Sequence, residues 1–218
     1  MSLKRSRLLM DIKPFILRWL QQARDGGLLY TAGADIRITG EEVSRAGTGV
    51  LLFSGSGALL AEYARTLAGL QAALAAASSG DVVELPEGTI TGWVNVPTGV
   101  TLRGRGWDSI ISGNLYQQAS SRAEHLQVHA TASGADDQVA WQLCAGAVGI
   151  HVYARVTHTG TGTALAALGL AAALEDPAVC YDCVADAVGS GGGSAWGGAG
   201  VVDGSLQWHQ GSVQGRES

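Results

Sequence analysis

The chain has 218 residues, a formal net charge of −5, a pI near 5.4 and only 15% charged residues. That balance excludes broad electrostatic attachment to nucleic acid or to an anionic membrane, both of which need clustered Lys and Arg; the one basic cluster is Lys4, Arg5 and Arg7. Hydrophobic residues reach 46%, but Gly numbers 32 while Phe and Met number two each, so a wide interior of large side chains is excluded in favour of a narrow one between short strands and tight turns.

Residues 3–24 read as an amphipathic helix. Leu9, Ile12, Ile16, Leu20 and Ala23 recur at three- and four-residue spacings with Trp19 beside them, and Asp25-Gly26-Gly27 ends the run. Segment 1–25 is therefore an N-terminal helix whose stripe Leu9, Ile12, Ile16, Trp19 and Leu20 must be covered. Its own domain, or a symmetry mate or docking partner, would serve equally, the latter making it an anchor and oligomerisation element. Asp11, Lys13 and Arg18 interrupt the apolar run and no small-residue cleavage site follows, so Sec-type export is not expected. Segment 26–57 carries Asp35-Ile36-Arg37-Ile38-Thr39 and Val50-Leu51-Leu52-Phe53 between glycines, too little for a separate core and suited to a small β neck. Segment 58–79 switches to Ala and Leu, with Leu59, Tyr63, Leu67, Leu70 and Leu74 on one helical face.

From 80 to 218 the period becomes two. Val82-Val83-Glu84-Leu85, Ile90-Thr91, Trp93-Val94-Asn95-Val96, Val100-Thr101-Leu102-Arg103-Gly104 and Ser109-Ile110-Ile111-Ser112-Gly113 are short strands separated by Pro and Gly turns. Leu126–Ala130 parallels Ile150–Ala154, and 204–209 parallels 177–182, spacings of about 24–28 residues that fit one coil of a solenoid. The Leu/Ala/Gly run 164–174 is too short to cross a bilayer, which takes about 20 apolar residues.

The stretch Leu70-Gln71-Ala72-Ala73-Leu74-Ala75-Ala76-Ala77-Ser78-Ser79-Gly80-Asp81-Val82-Val83-Glu84-Leu85-Pro86-Glu87-Gly88 resembles the opening of pectate-lyase-like β-helix proteins, with Ile90 where an aromatic residue is usual. Val96-Pro97-Thr98-Gly99-Val100-Thr101-Leu102-Arg103-Gly104-Arg105-Gly106 and Ile110-Ile111-Ser112-Gly113 continue the likeness, which covers about 45 residues. The resemblance implies a mainly β fold, a right-handed parallel β-helix over 80–218, with 58–79 as the capping helix that closes its first coil. The C-terminal sequence shows no comparable cap, an open end that points to assembly.

Fold is not function, and this fold carries lyases, hydrolases, adhesins and tailspikes. Asp136-Asp137 and Glu175-Asp176 sit in turn contexts. Asp182, Asp186 and Asp203 form a thin acidic set, and Arg155 is the only Lys or Arg between 123 and 215; no catalytic residue is assigned. His125, His129, His151, His158 and His209 read as polar positions on strands, so no metal and no cofactor is expected. Cys144, Cys180 and Cys183 are too few for a disulfide framework and fit a reducing compartment. Cys180 and Cys183, three apart on a strand, are expected on opposite faces. Trp141 and Trp208 fall on core positions, whereas Trp107 and Trp196 lie in Gly-rich loops and are the candidate glycan-binding aromatics.

The resulting expectation is a structural or receptor-binding virion fibre, resembling a phage tail fibre or tailspike. It would be a homotrimer, docked on a tail or baseplate protein through the N-terminal helix and able to meet host-surface polysaccharide. It would be assembled in the host cytoplasm into the virion tail, with neither nucleic-acid binding nor membrane insertion. The alternative is a polysaccharide lyase or glycoside hydrolase on the same fold.

Overall fold

The structure, a computed structural model, describes residues 36–39, 42–45, 49–170, 177–190, 195–196, 200–201 and 206–217. The expected helix over 3–24 and its stripe of Leu9, Ile12, Ile16, Trp19 and Leu20 lie outside the described residues. The chain divides into two compact units, Met1–Ala46 and Gly47–Ser218. In the first, β1 (Ile36–Thr39) and β2 (Glu42–Arg45) pair antiparallel, Ile36 opposite Arg45.

The second unit opens with β3 (Val50–Phe53), whose four apolar residues are all buried, and β4 (Leu59–Tyr63), antiparallel to it. A helix, α1 (Leu67–Ala76), follows. Thr66 is extended (φ −140°) and its Oγ1 accepts the Gly69 N–H at 3.1 Å, a side-chain N-cap. Leu70, Ala73 and Leu74 are the residues α1 buries. The helix expected over 58–79 is thus shorter, and Leu59–Tyr63 is strand. That segment alternates half-buried and exposed residues, and pairing with the apolar β3 overrides its helical composition. β3 itself pairs antiparallel with β5 (Val82–Leu85), so this part of the expected neck belongs to the main sheet.

The rest is a ribbon of parallel strands. After β5 come β6 (Gly88–Thr91), β7 (Val94–Val96), β8 (Thr101–Gly104), β9 (Ser109–Ser112) and β10 (Leu115–Gln117). Longer strands follow: β11 (Arg122–Ala132), β12 (Gln138–Cys144), β13 (Val148–His158), β14 (Ala164–Leu170) and β15 (Ala178–Gly189). Two short ones, β16 (Ala195–Trp196) and β17 (Gly200–Val201), precede β18 (Leu206–Glu217). One sheet takes β18-β15-β13-β11-β8-β5 in parallel order, with β3 and β4 antiparallel beyond β5 and with β6 and β9 attached through β11. The other takes β14-β12-β10-β7 in parallel, with β16 and β17 both on β14. The protein is therefore mainly β, its larger sheet mixed and neither sheet closed on itself.

Register decides what meets what. Leu126 lies opposite Val152 and Ala178 opposite Leu206, not opposite Ile150 and Ser205 as the sequence parallels predict. The pairing instead brings His125 level with His151, so that inward-facing residues stay in phase from strand to strand. Inside, Val94, Leu115, Trp141 and Ala167 form one buried column, and Val83, Leu102, Ala123, Gly149 and Cys180 another. Trp141 crosses the gap between them: a Cβ on Gly149 would lie 2.2 Å from Trp141 Cη2. The indole Nε1 donates to Gln117 Oε1 at 2.6 Å, and Gln117 Nε2 donates to the Val148 carbonyl at 3.2 Å. A fully buried polar residue in the core column is thereby paired on both its amide atoms, as burial requires.

Gly149→Ala should therefore overpack this layer and lower stability by about 1–3 kcal/mol. Urea unfolding would show a reduced midpoint at constant slope; an unchanged midpoint would mean the indole does not occupy the space beside Gly149.

Candidate functional site

The site grows from a backbone detail repeated in three strands. His125, His151 and Asp182 have φ of 54°, 51° and 49°, the left-handed region that non-glycine residues adopt rarely and that Asp and His tolerate better than most. Each falls in the gap of the ladder, between pairs such as Glu124–Ile150 and Leu126–Val152, or Ile150–Tyr181 and Tyr153–Val184. One residue in this conformation shifts the inward and outward alternation by one. Inward positions therefore run Ala123 then Leu126, Gly149 then Val152, and Cys180 then Cys183, all fully buried or nearly so.

The two cysteines, expected on opposite faces, accordingly both point inward. The period-two count fails because Asp182 sits between them in the left-handed conformation. Their thiols interact directly, and the hydrogen bond to Cys183, aided by burial, holds Cys180 firmly protonated.

The three corner residues form a surface ladder. His125 Nδ1 and His151 Nδ1 are 3.2 Å apart, with ring centres 4.8 Å apart and planes tilted by 40°. His151 Nε2 lies 3.3 Å from Asp182 Oδ2, and both side chains are nearly half exposed. The Asp182 carboxylate thus faces the Nε2 edge of His151, while the Nδ1 edge faces His125. Trp107, in the turn between β8 and β9, is 51% exposed. Its carbonyl accepts from Gln127 Nε2, which fastens this turn to β11. Gly106, Trp107, His125 and His151 together line an open recess of about 220 Å³. Tyr181, beside Asp182, is 44% exposed.

A second outward row lies further along the same strands. His129 Nε2 hydrogen-bonds Gln127 Oε1 at 2.8 Å and meets the Tyr153 ring edge-on at 5.8 Å between centres. Tyr153 OH donates to Asp186 Oδ2 at 3.3 Å, and Arg155 Nε lies 3.8 Å from the same oxygen. Partial burial, then the Arg155 guanidinium, hold the His129 pKa below the usual histidine value. Burial, with Asp186 beside it, raises that of Tyr153. Nearer the start of the stack, Glu84, Arg103 and Glu124 share a column. Arg105–Glu84 (2.6 Å), Arg103–Glu124 (3.0 Å) and Arg122–Glu124 ion pairs tie this region together.

Other positions singled out by sequence resolve as follows. Trp141 is core, as its alternating position predicts, and Trp107 is at the surface. Trp196 sits in β16 opposite Leu165, on the other sheet from the Trp107 recess, and its side chain lies outside the described structure, as does that of Trp208. Trp93 is also exposed, at 58%. Asp136 and Asp137 are turn residues; Asp137 Oδ1 accepts the Thr163 N–H at 2.7 Å, and this bond lowers its pKa. Glu175, Asp176 and Asp203 lie outside the described residues. His158 is structural: buried, it donates from Nε2 to the Asp136 carbonyl at 2.9 Å and accepts the Gly160 N–H at Nδ1. His125 and His129, four residues apart on one strand, belong to separate rows because the backbone is left-handed at His125. Of the residues gathered here, the sequence pattern assigns only Trp107 and leaves out His125, His151, Asp182 and Tyr181; their signal is the spacing of 26 from His125 to His151 and the register offset from Ile150 to Tyr181. Among the described residues no group of three or more His, Cys, Asp or Glu side chains converges as a metal-holding set, and no helix is long and apolar enough to cross a membrane. Comparisons with protein-family models, with curated proteins and with solved structures give no match.

The lowered His129 pKa has a consequence for acid stability. The unfolded chain takes up this proton near pH 6.5 and the folded chain only at lower pH. Stability contributed by neutral His129 is therefore full above about pH 6.5 and falls as pH drops through and below it. His129→Gln should flatten that fall, and Arg155→Gln should move the His129 midpoint upward in an NMR titration. A His129 midpoint at or above the free-histidine value would contradict the arrangement.

Proposed function

We propose that the two parallel stacks are walls of a right-handed parallel β-helix, and that the protein is a receptor-binding fibre component of the phage tail fibre or tailspike kind, reading host-surface glycans at the Trp107–His125–His151 recess. The regular return of the chain to the same register after about 20–30 residues supports the solenoid reading. So does the placement of α1, which buries Leu70, Ala73 and Leu74 beside the first strands, as a terminal cap should.

The observation that carries the glycan reading is a half-exposed Trp107 lining an open recess together with His125 and His151. An aromatic face stacks on the apolar face of a sugar ring, and imidazole and carboxylate edges next to it hydrogen-bond hydroxyls. His125, His151 and Asp182 occupy three neighbouring strands, which at ~4.8 Å per strand make a track of roughly 10 Å, suited to a short oligosaccharide. A homotrimer docked through the N-terminal helix, within a virion tail assembled in the host cytoplasm, completes the proposal. Lyase or hydrolase action is the competing use of the same surface.

Two measurements test it. On an array of bacterial surface oligosaccharides, the chain should retain a defined subset, and Trp107→Ala should weaken retention by about tenfold or more, a loss of ~1.4 kcal/mol or greater. Binding unaffected by Trp107→Ala would refute the recess, and new reducing or unsaturated ends in the bound sugar would favour the enzyme. Light scattering at micromolar concentration should give about three times 22.3 kDa; a monomer would defeat the trimeric fibre.

A further inference from the structure

The His125–His151 pair has a geometry that sugar binding does not call for. A head-on N–H···N bond across 3.2 Å would hold the two ring centres roughly 5.5 Å apart, whereas they are 4.8 Å apart and tilted by 40°. The two Nδ1 atoms therefore meet at an angle. Two imidazoles on one ion at ~2.05 Å, with their nitrogens 3.2 Å apart, would subtend about 100° at it and set their centres roughly 5 Å apart. The observed pair is close to that arrangement. Asp182 supplies the next requirement, a carboxylate 3.3 Å from His151 Nε2, the placement by which an outer acceptor orients a ligating ring and favours ligation through the other nitrogen. The recess of about 220 Å³ against both rings has room for an ion and several waters, each occupying about 30 Å³ of liquid volume.

We propose that His125 Nδ1 and His151 Nδ1 bind one borderline divalent transition ion, of the Zn²⁺, Cu²⁺ or Ni²⁺ class, with Asp182 as the orienting partner and water completing the shell. Imidazole nitrogen suits these ions, while Ca²⁺ and Mg²⁺ require oxygen ligands. Ligation uses the lone pairs of both Nδ1 atoms, so the proton that joins them across 3.2 Å without the ion moves to an Nε2 as both lone pairs turn to the ion. The left-handed backbone at both corners keeps the rings on adjacent strands in one column, so the pair is held in place before the ion arrives. The proposal shares the recess with the glycan reading but needs no sugar, so either can fail alone.

The test uses the full chain and ZnCl₂ in a non-chelating buffer. Isothermal titration should give one ion per chain. His125→Asn and His151→Asn, chosen because Asn tolerates the left-handed corner, should each weaken binding on the order of tenfold or more, and Asp182→Asn about tenfold. His129→Gln should leave it unchanged. A second readout needs no variant: Zn²⁺ should shield His125 and His151, but not His129, from diethyl pyrocarbonate mapped by mass spectrometry, and Ca²⁺ should shield neither. Absence of a Zn²⁺ heat, full affinity in both corner variants, or protection that misses these two rings would overturn the proposal.

Discussion

Parallel backbone pairing between successive long strands is the constraint from which the rest of this protein follows. β11, β13, β15 and β18 keep one register, so a residue and its counterpart in the next strand occupy a single column. Every column must then be chemically consistent along its length. Inward columns trade volume: Trp141 takes the space that Gly149 leaves, and the Ala-rich positions at 123, 154, 167 and 185 keep the interior slim. Near the first strands an outward column alternates charge, Glu84 to Arg103 to Glu124, as neighbours about 4.8 Å apart favour. The abundance of Gly and Ala is thus a consequence of narrow geometry rather than of low complexity.

The same register turns a local backbone choice into a surface feature. A single left-handed residue in each of three strands bends the ribbon and leaves its side chain unpaired by the ladder. Stacked, these become His125, His151 and Asp182. Nothing in the packing dictates these identities, because the His151–Asp182 contact is nearly half exposed and such pairs contribute little to stability. Gly or Asn would hold the left-handed corner as well. That freedom, next to an exposed indole, separates this ladder from the buried Gln117–Trp141 pair and from His158, where hydrogen bonds satisfy groups that burial would otherwise orphan.

The ribbon's first strands show a different solution. Here Leu70, Ala73 and Leu74 of a helix of 10 residues join the same apolar core as Val83, Leu85 and Val94. Thr66 fixes where that helix starts, and antiparallel β3 and β4 extend the sheet past β5. The mixed sheet is thus a local arrangement at one end of an otherwise parallel order.

Much of this was legible in the chain itself. Alternation with Pro and Gly turns places the strands between 82 and 112 to within one or two residues at their ends, since both the inward face and the turn backbone are encoded locally. Trp141 as core and Trp107 as surface followed from alternation and from a Gly-rich context. What the sequence alone left undecided is every property set by partners distant in the chain. The helical composition of 58–66 yields to a strand because β3 lies alongside. The register of β11 on β13 differs by two residues from the visible similarity because the corners must align. Cys180 and Cys183 face the same way because Asp182 adopts a conformation that no period-two count anticipates. The histidine ladder arises only when residues 26 apart are brought to 3.2 Å. Composition and alternation determined a mainly β architecture; tertiary register alone decided which polar side chains meet on its surface, because only the stacked backbone converts separation along the chain into contact.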